Sequence, residues 1–362
     1  MKKRLLALTL FLMFFALPAR AEIAIGPIFS MPMDDSLMPF YAAQTGSDGF
    51  PCMIQAEGLE GRELDYFDFV PLGGGGYAAL CGMTAVMIRN GAVVESIDLV
   101  PGDEAIPAAI FPARDGFFVF MGETKWKDRH GGTFHAAVLE KRDGSGAMEW
   151  RRVFDEHEVM LSGVMPAEDG YIAYGCMEEQ WTGKRYALGF AAKITHTGEL
   201  AWVAQARAPE GNISFTAAAP APDGGVMLAG GNTLRRQPKI GLLVKPFAAC
   251  LTPDGTIRWQ QSYDLGPEAS DFRGIVPVEN GYLVLWNEIS YQPPLYLLGM
   301  DAGGAVAERF VLDTQEARNA WTARLELISG KPYLLFRELR EETAGEGGSV
   351  KWLHGMAVDV RP

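Results

Sequence analysis

A short unit of the form Pro-x-x-(Asp/Asn)-Gly, followed by an apolar run, returns along this chain and limits its possible folds more than any other feature. It reads Pro112-Ala113-Arg114-Asp115-Gly116, Pro166-Ala167-Glu168-Asp169-Gly170, Pro220-Ala221-Pro222-Asp223-Gly224 and Pro277-Val278-Glu279-Asn280-Gly281. Weaker copies at Pro71–Gly75 and Leu327–Gly330 bring the number to six. The turn glycines Gly75, Gly116, Gly170, Gly224, Gly281 and Gly330 are 41, 54, 54, 57 and 49 residues apart. A unit of this length made of short strands cannot bury its apolar faces alone and must pack on copies of itself. The spacing therefore predicts an all-β radial array, a β-propeller.

One repeat reads as a four-stranded meander. Ile213–Pro220 is apolar and β-leaning, Asp223-Gly224-Gly225 is turn chemistry, and Val226–Gly230 is a second strand. A long polar loop is expected next, then a third strand over Pro246–Thr252, a turn at Pro253-Asp254-Gly255 and a fourth strand from Thr256 to Trp259. Two registers support this reading. Seven residues before the turn glycine stand Ala109, Gly163, Ala217, Gly274 and Ala323, with Asp68 the exception; strands that converge on an axis have room only for small side chains. The proline four residues before that glycine cannot donate to a ladder and suits the innermost, edge strand. After the other turn, Gly146, Gly198 and Gly255 are each followed four residues later by Trp150, Trp202 and Trp259, while Gly91 and Gly304 are followed by Glu95 and Glu308. Aromatic residues at this spacing are read as wedges between neighbouring blades rather than as carbohydrate-stacking surfaces.

The sixth unit stops after Trp352–Val360, a third strand, so the missing outer strand is expected from residues 22–62. That contribution would close the ring and remove exposed edges. The same segment holds Ser47-Asp48-Gly49-Phe50, which keeps seven blades as the alternative to six.

Lys2, Lys3 and Arg4, the apolar stretch Leu5–Leu17 and Ala19-Arg20-Ala21 read as a signal peptide over residues 1–21, cleaved before Glu22. Residues 22–62 are then the closing segment and 63–362 the propeller. The expected location is secreted or periplasmic. The apolar stretch is short of the ~20 residues that span a bilayer, and no membrane span is expected elsewhere. The formal charge of -13 becomes -17 without the signal, because Lys2, Lys3, Arg4 and Arg20 leave with it. Such acidity argues against nucleic acid as a partner. A monomer is expected. Cys52, Cys81, Cys176 and Cys250 match no zinc spacing, and buried thiols and disulfides are both open.

The combined pattern, Gly-aromatic after one turn and Gly-x-x-x-Trp after the other, resembles secreted bacterial β-propellers with quinoprotein-like or related blade repeats, over about residues 63–360. The resemblance implies the fold; the group includes dehydrogenases, outer-membrane assembly scaffolds and surface proteins of uncharacterised function. Two departures matter. No adjacent Cys pair is present, and Pro253-Asp254-Gly255-Thr256 lacks the residue between Asp and Gly of a sialidase Asp-box. Function does not transfer on fold alone.

The expected loops between second and third strands carry the candidate binding residues Lys125, Trp126, Lys127, Arg129, Trp181, Lys184, Arg185, Arg235, Arg236 and Tyr291. Strand alternation puts these connections on one face, where cations and aromatics gather on an acidic molecule. That combination suits an anionic glycan or an acidic envelope or extracellular protein. No metal site or cofactor is expected, and no catalytic residue is assigned. The alternative is a glycoside-processing enzyme with its site at the central mouth of the same face.

Overall fold

The alternation of turn and apolar run becomes six antiparallel sheets arranged as a six-bladed propeller. The computed structural model describes residues 22–26, 29–33, 69–72, 76–81, 83–90, 92–99, 105–127, 133–154, 158–181, 184–237, 241–266, 270–288, 293–328, 330–341 and 349–361. Blade 1 is Phe69–Leu72, Gly76–Cys81, Thr84–Arg89 and Ala92–Asp98; blade 2 is Ala105–Pro112, Gly116–Lys127, Thr133–Asp143 and Met148–Phe154. Blade 3 is Glu158–Ala167, Gly170–Trp181, Lys184–Ile194 and Leu200–Ala206; blade 4 is Asn212–Pro220, Val226–Gln237, Gly241–Leu251 and Ile257–Ser262. Blade 5 is Ser270–Val278, Gly281–Glu288, Leu295–Met300 and Val306–Leu312, and blade 6 begins with Ala320–Ile328, Lys331–Glu341 and Ser349–Arg361. Ser47–Phe50 lies outside the described residues.

The fourth position of blade 6 is filled from the other end of the chain. Glu22–Ile25 pairs antiparallel with the last strand in the register Glu22↔Arg361 to Ile25↔Val358, and Phe29–Met33 continues along it from Phe29↔Gly355 to Met33↔Lys351. The two ends of the sequence thus share one ladder. A chain of side-chain bonds reinforces it. The Ser30 Oγ lies 2.8 Å from Nδ1 of His354, and Nε2 of His354 lies 2.9 Å from a carboxylate oxygen of Glu338. An ionised carboxylate only accepts, so Nε2 carries the proton and Nδ1 takes the Ser30 hydroxyl hydrogen. Asn319 donates to the second Glu338 oxygen at 3.1 Å, and His354 stacks on Phe336.

The core lies in slabs between blades rather than at the axis. Among the described residues, one apolar cluster joins each successive pair from blades 1 and 2 to blades 5 and 6. Second and third strands are covered on both faces, so Leu295–Met300 is buried throughout, whereas the outermost strands alternate. Trp150 and Trp202 do the wedging. An added Cβ on Gly198 would fall 2.8 Å from the Trp150 ring, and one on Gly255 2.6 Å from the Trp202 ring. Each indole N–H donates across the blade boundary, to the His196 and Pro253 carbonyls, both at 3.0 Å. Trp259 packs on Gly304 in the same way. These turn glycines have φ between +84° and +87°, a region that already disfavours other residues.

The inner-turn aspartates are pinned by cations of their own blade. Asp115 meets Lys141 at 2.8 Å, Asp169 meets Lys193 at 2.7 Å, and Asp223 meets Arg258. Lys141 also contacts Glu149 although its side chain is 2% exposed, so its charge is balanced where it is buried. Cys176 and Cys250 are buried free thiols, and burial pushes both up from the ordinary thiol range. No helix among the described residues is long and apolar enough to cross a membrane.

Candidate functional site

The connections between second and third strands are shorter than the sequence predicts, because the strands run on through segments read as polar loop. In blade 2 the second strand reaches Lys127, in blade 3 the hairpin closes at Trp181↔Lys184, and in blade 4 the strand reaches Gln237. Polar composition does not end a ladder whose backbone groups still pair. The expectation of long loops is corrected to long hairpins.

The register places the candidates near the hairpin ends. Trp126 faces Phe134 and Lys127 faces Thr133 across the ladder, with Lys125 in the irregularity between Thr124 and Trp126. Lys184 and Arg185 pair with Trp181 and Gln180. Arg235 and Arg236 occupy a register break between Leu234 and Gln237. Strand alternation brings these three hairpins, from successive blades, to one face of the propeller. Arg129 and Tyr291 lie outside the described residues.

A second feature was not among the sequence candidates. The first strands of blades 2 to 6 surround a cavity of about 470 Å³ on the axis, within the roughly 300–1,000 Å³ usual for small-molecule sites. Its wall includes Ser162, Thr216, Arg273, Arg324, Glu326 and Tyr174. The backbone explains why polar groups arrive there. In blades 2 to 5 the ladder between first and second strands skips one residue immediately before the small position, namely Ala108, Ser162, Thr216 and Arg273. A bulge of this kind re-aims a side chain out of the sheet. The small residue that follows admits the strand to the axis: a Cβ on Gly163 would fall 2.2 Å from the Tyr174 hydroxyl, and one on Gly274 3.1 Å from Leu325. The residue preceding the small position was the available signal, since it is polar in four of the five blades with that pattern (Ser162, Thr216, Arg273 and Thr322).

The electrostatics of the cavity are distinctive for a strand-lined space. Arg273 Nε donates to Asp271 at 2.9 Å, and the Arg273 side chain is 46% exposed against 10% for Asp271. Burial pushes the Asp271 carboxyl up, with Arg273 pulling it back. Burial pushes Glu326 up as well, against the attraction of Arg324. Tyr174 is held at about 12 by burial, with Arg324 from the opposite side of the ring acting against it. The Thr216 hydroxyl reaches backbone carbonyls, among them Ala229 at 3.4 Å.

No protein-family model matches the sequence, and no curated protein does. Several solved structures resemble the fold. An α-L-arabinofuranosidase from Fusarium graminearum is 11% identical with a TM-score of 0.49, covering 80% of this chain and 92% of that one. A subtype N10 neuraminidase-like protein of A/little yellow-shouldered bat/Guatemala/060/2010 is 9% identical with a TM-score of 0.48, covering 82% and 93%. A europium-containing methanol dehydrogenase is 10% identical with a TM-score of 0.36, covering 78% and 80%. At such identities the likeness concerns the fold and carries no function.

Proposed function

We propose that this protein is an exported binding module that takes an anionic ligand, an acidic glycan or an acidic protein segment, on the face where the long hairpins end. One observation supports this reading above the others. The hairpins of three successive blades bring Lys125, Lys127, Lys184, Arg185, Arg235 and Arg236, with Trp126 and Trp181 among them, to one face of a chain whose formal charge is -13. Opposite signs on face and bulk attract an anion locally without making the molecule a general polyanion binder. Strand extensions rather than free loops also lower the entropy lost when a ligand is gripped. The test is a glycan array probed with the purified protein, acidic glycans included. The reading expects a hit that salt weakens and that Arg235→Ala with Arg236→Ala removes; a blank array sinks the glycan half and leaves an acidic protein as the ligand to be sought.

A second reading, a glycoside-processing enzyme, draws on Glu326. It lines the axial cavity, and burial pushes its carboxyl up, the direction in which a general acid is tuned. Release of nitrophenol from aryl glycosides, abolished by Glu326→Gln, would support this reading over pure binding.

A further inference from the structure

The axial cavity contains a donor group that the fold itself does not use. Arg273 is the bulged residue of the first strand in blade 5, so its side chain leaves the ladder at the point where the strand reaches the axis. Asp271, two residues earlier on the same strand, holds Nε at 2.9 Å. Among the described residues this is the one polar contact of the Arg273 side chain, and the two terminal nitrogens have no partner. A guanidinium anchored through Nε presents its other donors as a flat pair, the geometry that matches the two oxygens of a carboxylate.

We infer that the axial cavity is a binding site for a small hydroxylated carboxylate, seated with its carboxyl on the terminal nitrogens of Arg273. The cavity's lining residues are not those of the hairpins, and the site stands whether or not the hairpin face binds an acidic ligand. Size agrees, since about 470 Å³ accommodates a single sugar acid. Charge agrees as well. Arg273 and Arg324 both line the cavity, and Asp271 engages Arg273 through Nε alone, which leaves the Arg273 fork to an anionic group. Ser162, exposed into the cavity from the bulge of blade 3, and the Tyr174 hydroxyl are neutral groups suited to ligand hydroxyls.

The experiment is calorimetric titration of the purified protein with glucuronate, glucose and inorganic phosphate, repeated on three variants. Arg273→Lys keeps the charge beside Asp271 and removes the flat donor pair. Ala218→Leu fills the cavity from blade 4 without touching the Arg273–Asp271 bond, and its folding is checked by circular dichroism. Arg235→Ala with Arg236→Ala is the hairpin-face control. The inference expects glucuronate to bind, glucose and phosphate to bind at least tenfold more weakly, Arg273→Lys to weaken glucuronate at least tenfold, folded Ala218→Leu to abolish binding, and the hairpin variant to bind as the wild type does. It is overturned if glucuronate binds no better than glucose or phosphate, if both cavity variants retain wild-type affinity, or if the hairpin variant alone loses binding.

Discussion

The backbone N–H of Ile23 donates to a carboxylate oxygen of Glu308 at 2.9 Å, so the strand that closes blade 6 is held by the outer strand of blade 5. Glu308 stands at the position, four residues after the turn glycine, that Trp150, Trp202 and Trp259 occupy in blades 2 to 4. Those indoles wedge against the next blade's outer turn. At blade 6 the neighbour is the closing strand, and a carboxylate accepts from its backbone instead. The Ile23 side chain packs into the apolar cluster between blades 5 and 6.

Glu308→Ala is therefore expected to lower stability by about 1–2 kcal/mol, the usual scale for a hydrogen bond to a charged group that is partly exposed. Glu308→Gln keeps an acceptor and should lose less. Hydrogen exchange at the Ile23 amide separates this from a general effect: exchange there should rise in Glu308→Ala while amides of blade 3 stay protected. Equal acceleration across all blades would contradict the local role.

Gly255 and Gly224 have nearly the same positive φ, +85° and +82°, but different surroundings. A Cβ on Gly255 meets the Trp202 ring at 2.6 Å, whereas one on Gly224 meets nothing closer than 3.7 Å. Gly224→Ala should cost about 1–2 kcal/mol from backbone strain alone. Gly255→Ala should cost about 1–3 kcal/mol more, as overpacking does. Denaturant midpoints of the two variants test this, and the excess should shrink when Trp202→Ala is combined with Gly255→Ala.

The Ser30–His354–Glu338 chain predicts graded losses. Ser30→Ala removes one hydrogen bond at the rim, about 1 kcal/mol; Glu338→Ala removes the acceptor facing Nε2 of a fully buried His354 and that of Asn319, about 2–4 kcal/mol. Limited proteolysis should release the segment before Met33 sooner in Glu338→Ala than in the wild type. Unchanged cleavage in that variant would mean that the ladder alone secures the closing strand.

Glu326 predicts a pH dependence. Its folded-state value lies above the ordinary 4.5 because burial disfavours the charge. The folded protein then holds this proton more tightly than the unfolded chain does. The contribution is fully present below about pH 4.5 and is lost as pH rises through the folded value. Glu326→Gln keeps the side chain neutral throughout, so its stability relative to the wild type should rise between pH 4 and pH 8. Urea unfolding at both pH values measures this, and parallel curves would place the Glu326 carboxyl in a solvated setting.

The repeat made the architecture legible because each blade is built from local signals. Pro, Asp and Gly set the hairpins, small residues mark where strands approach the axis, and Trp150 and Trp202 mark the boundaries between blades. The hairpin candidates were legible as residue types but not as structure. Lys125 to Lys127 and Arg235-Arg236 look like loop because side-chain polarity does not report backbone pairing, which continues to Lys127 and Gln237.

The repeated unit, its strand order and the need for an outer strand from elsewhere follow from the order of residues, because turns and apolar alternation act over a few positions; the pairing of residues 22–33 with the last strand came from the structure. Three features came only from tertiary structure: Glu308 meeting Ile23, Ser30 meeting His354, and Arg273, Arg324, Glu326 and Tyr174 facing one cavity. Each joins residues that are far apart in the chain or on different blades. Their meeting depends on how sheets pack around an axis, which no local pattern of residue types encodes; the polar residue before the small position marks the bulge at Arg273 but not what it meets across the axis.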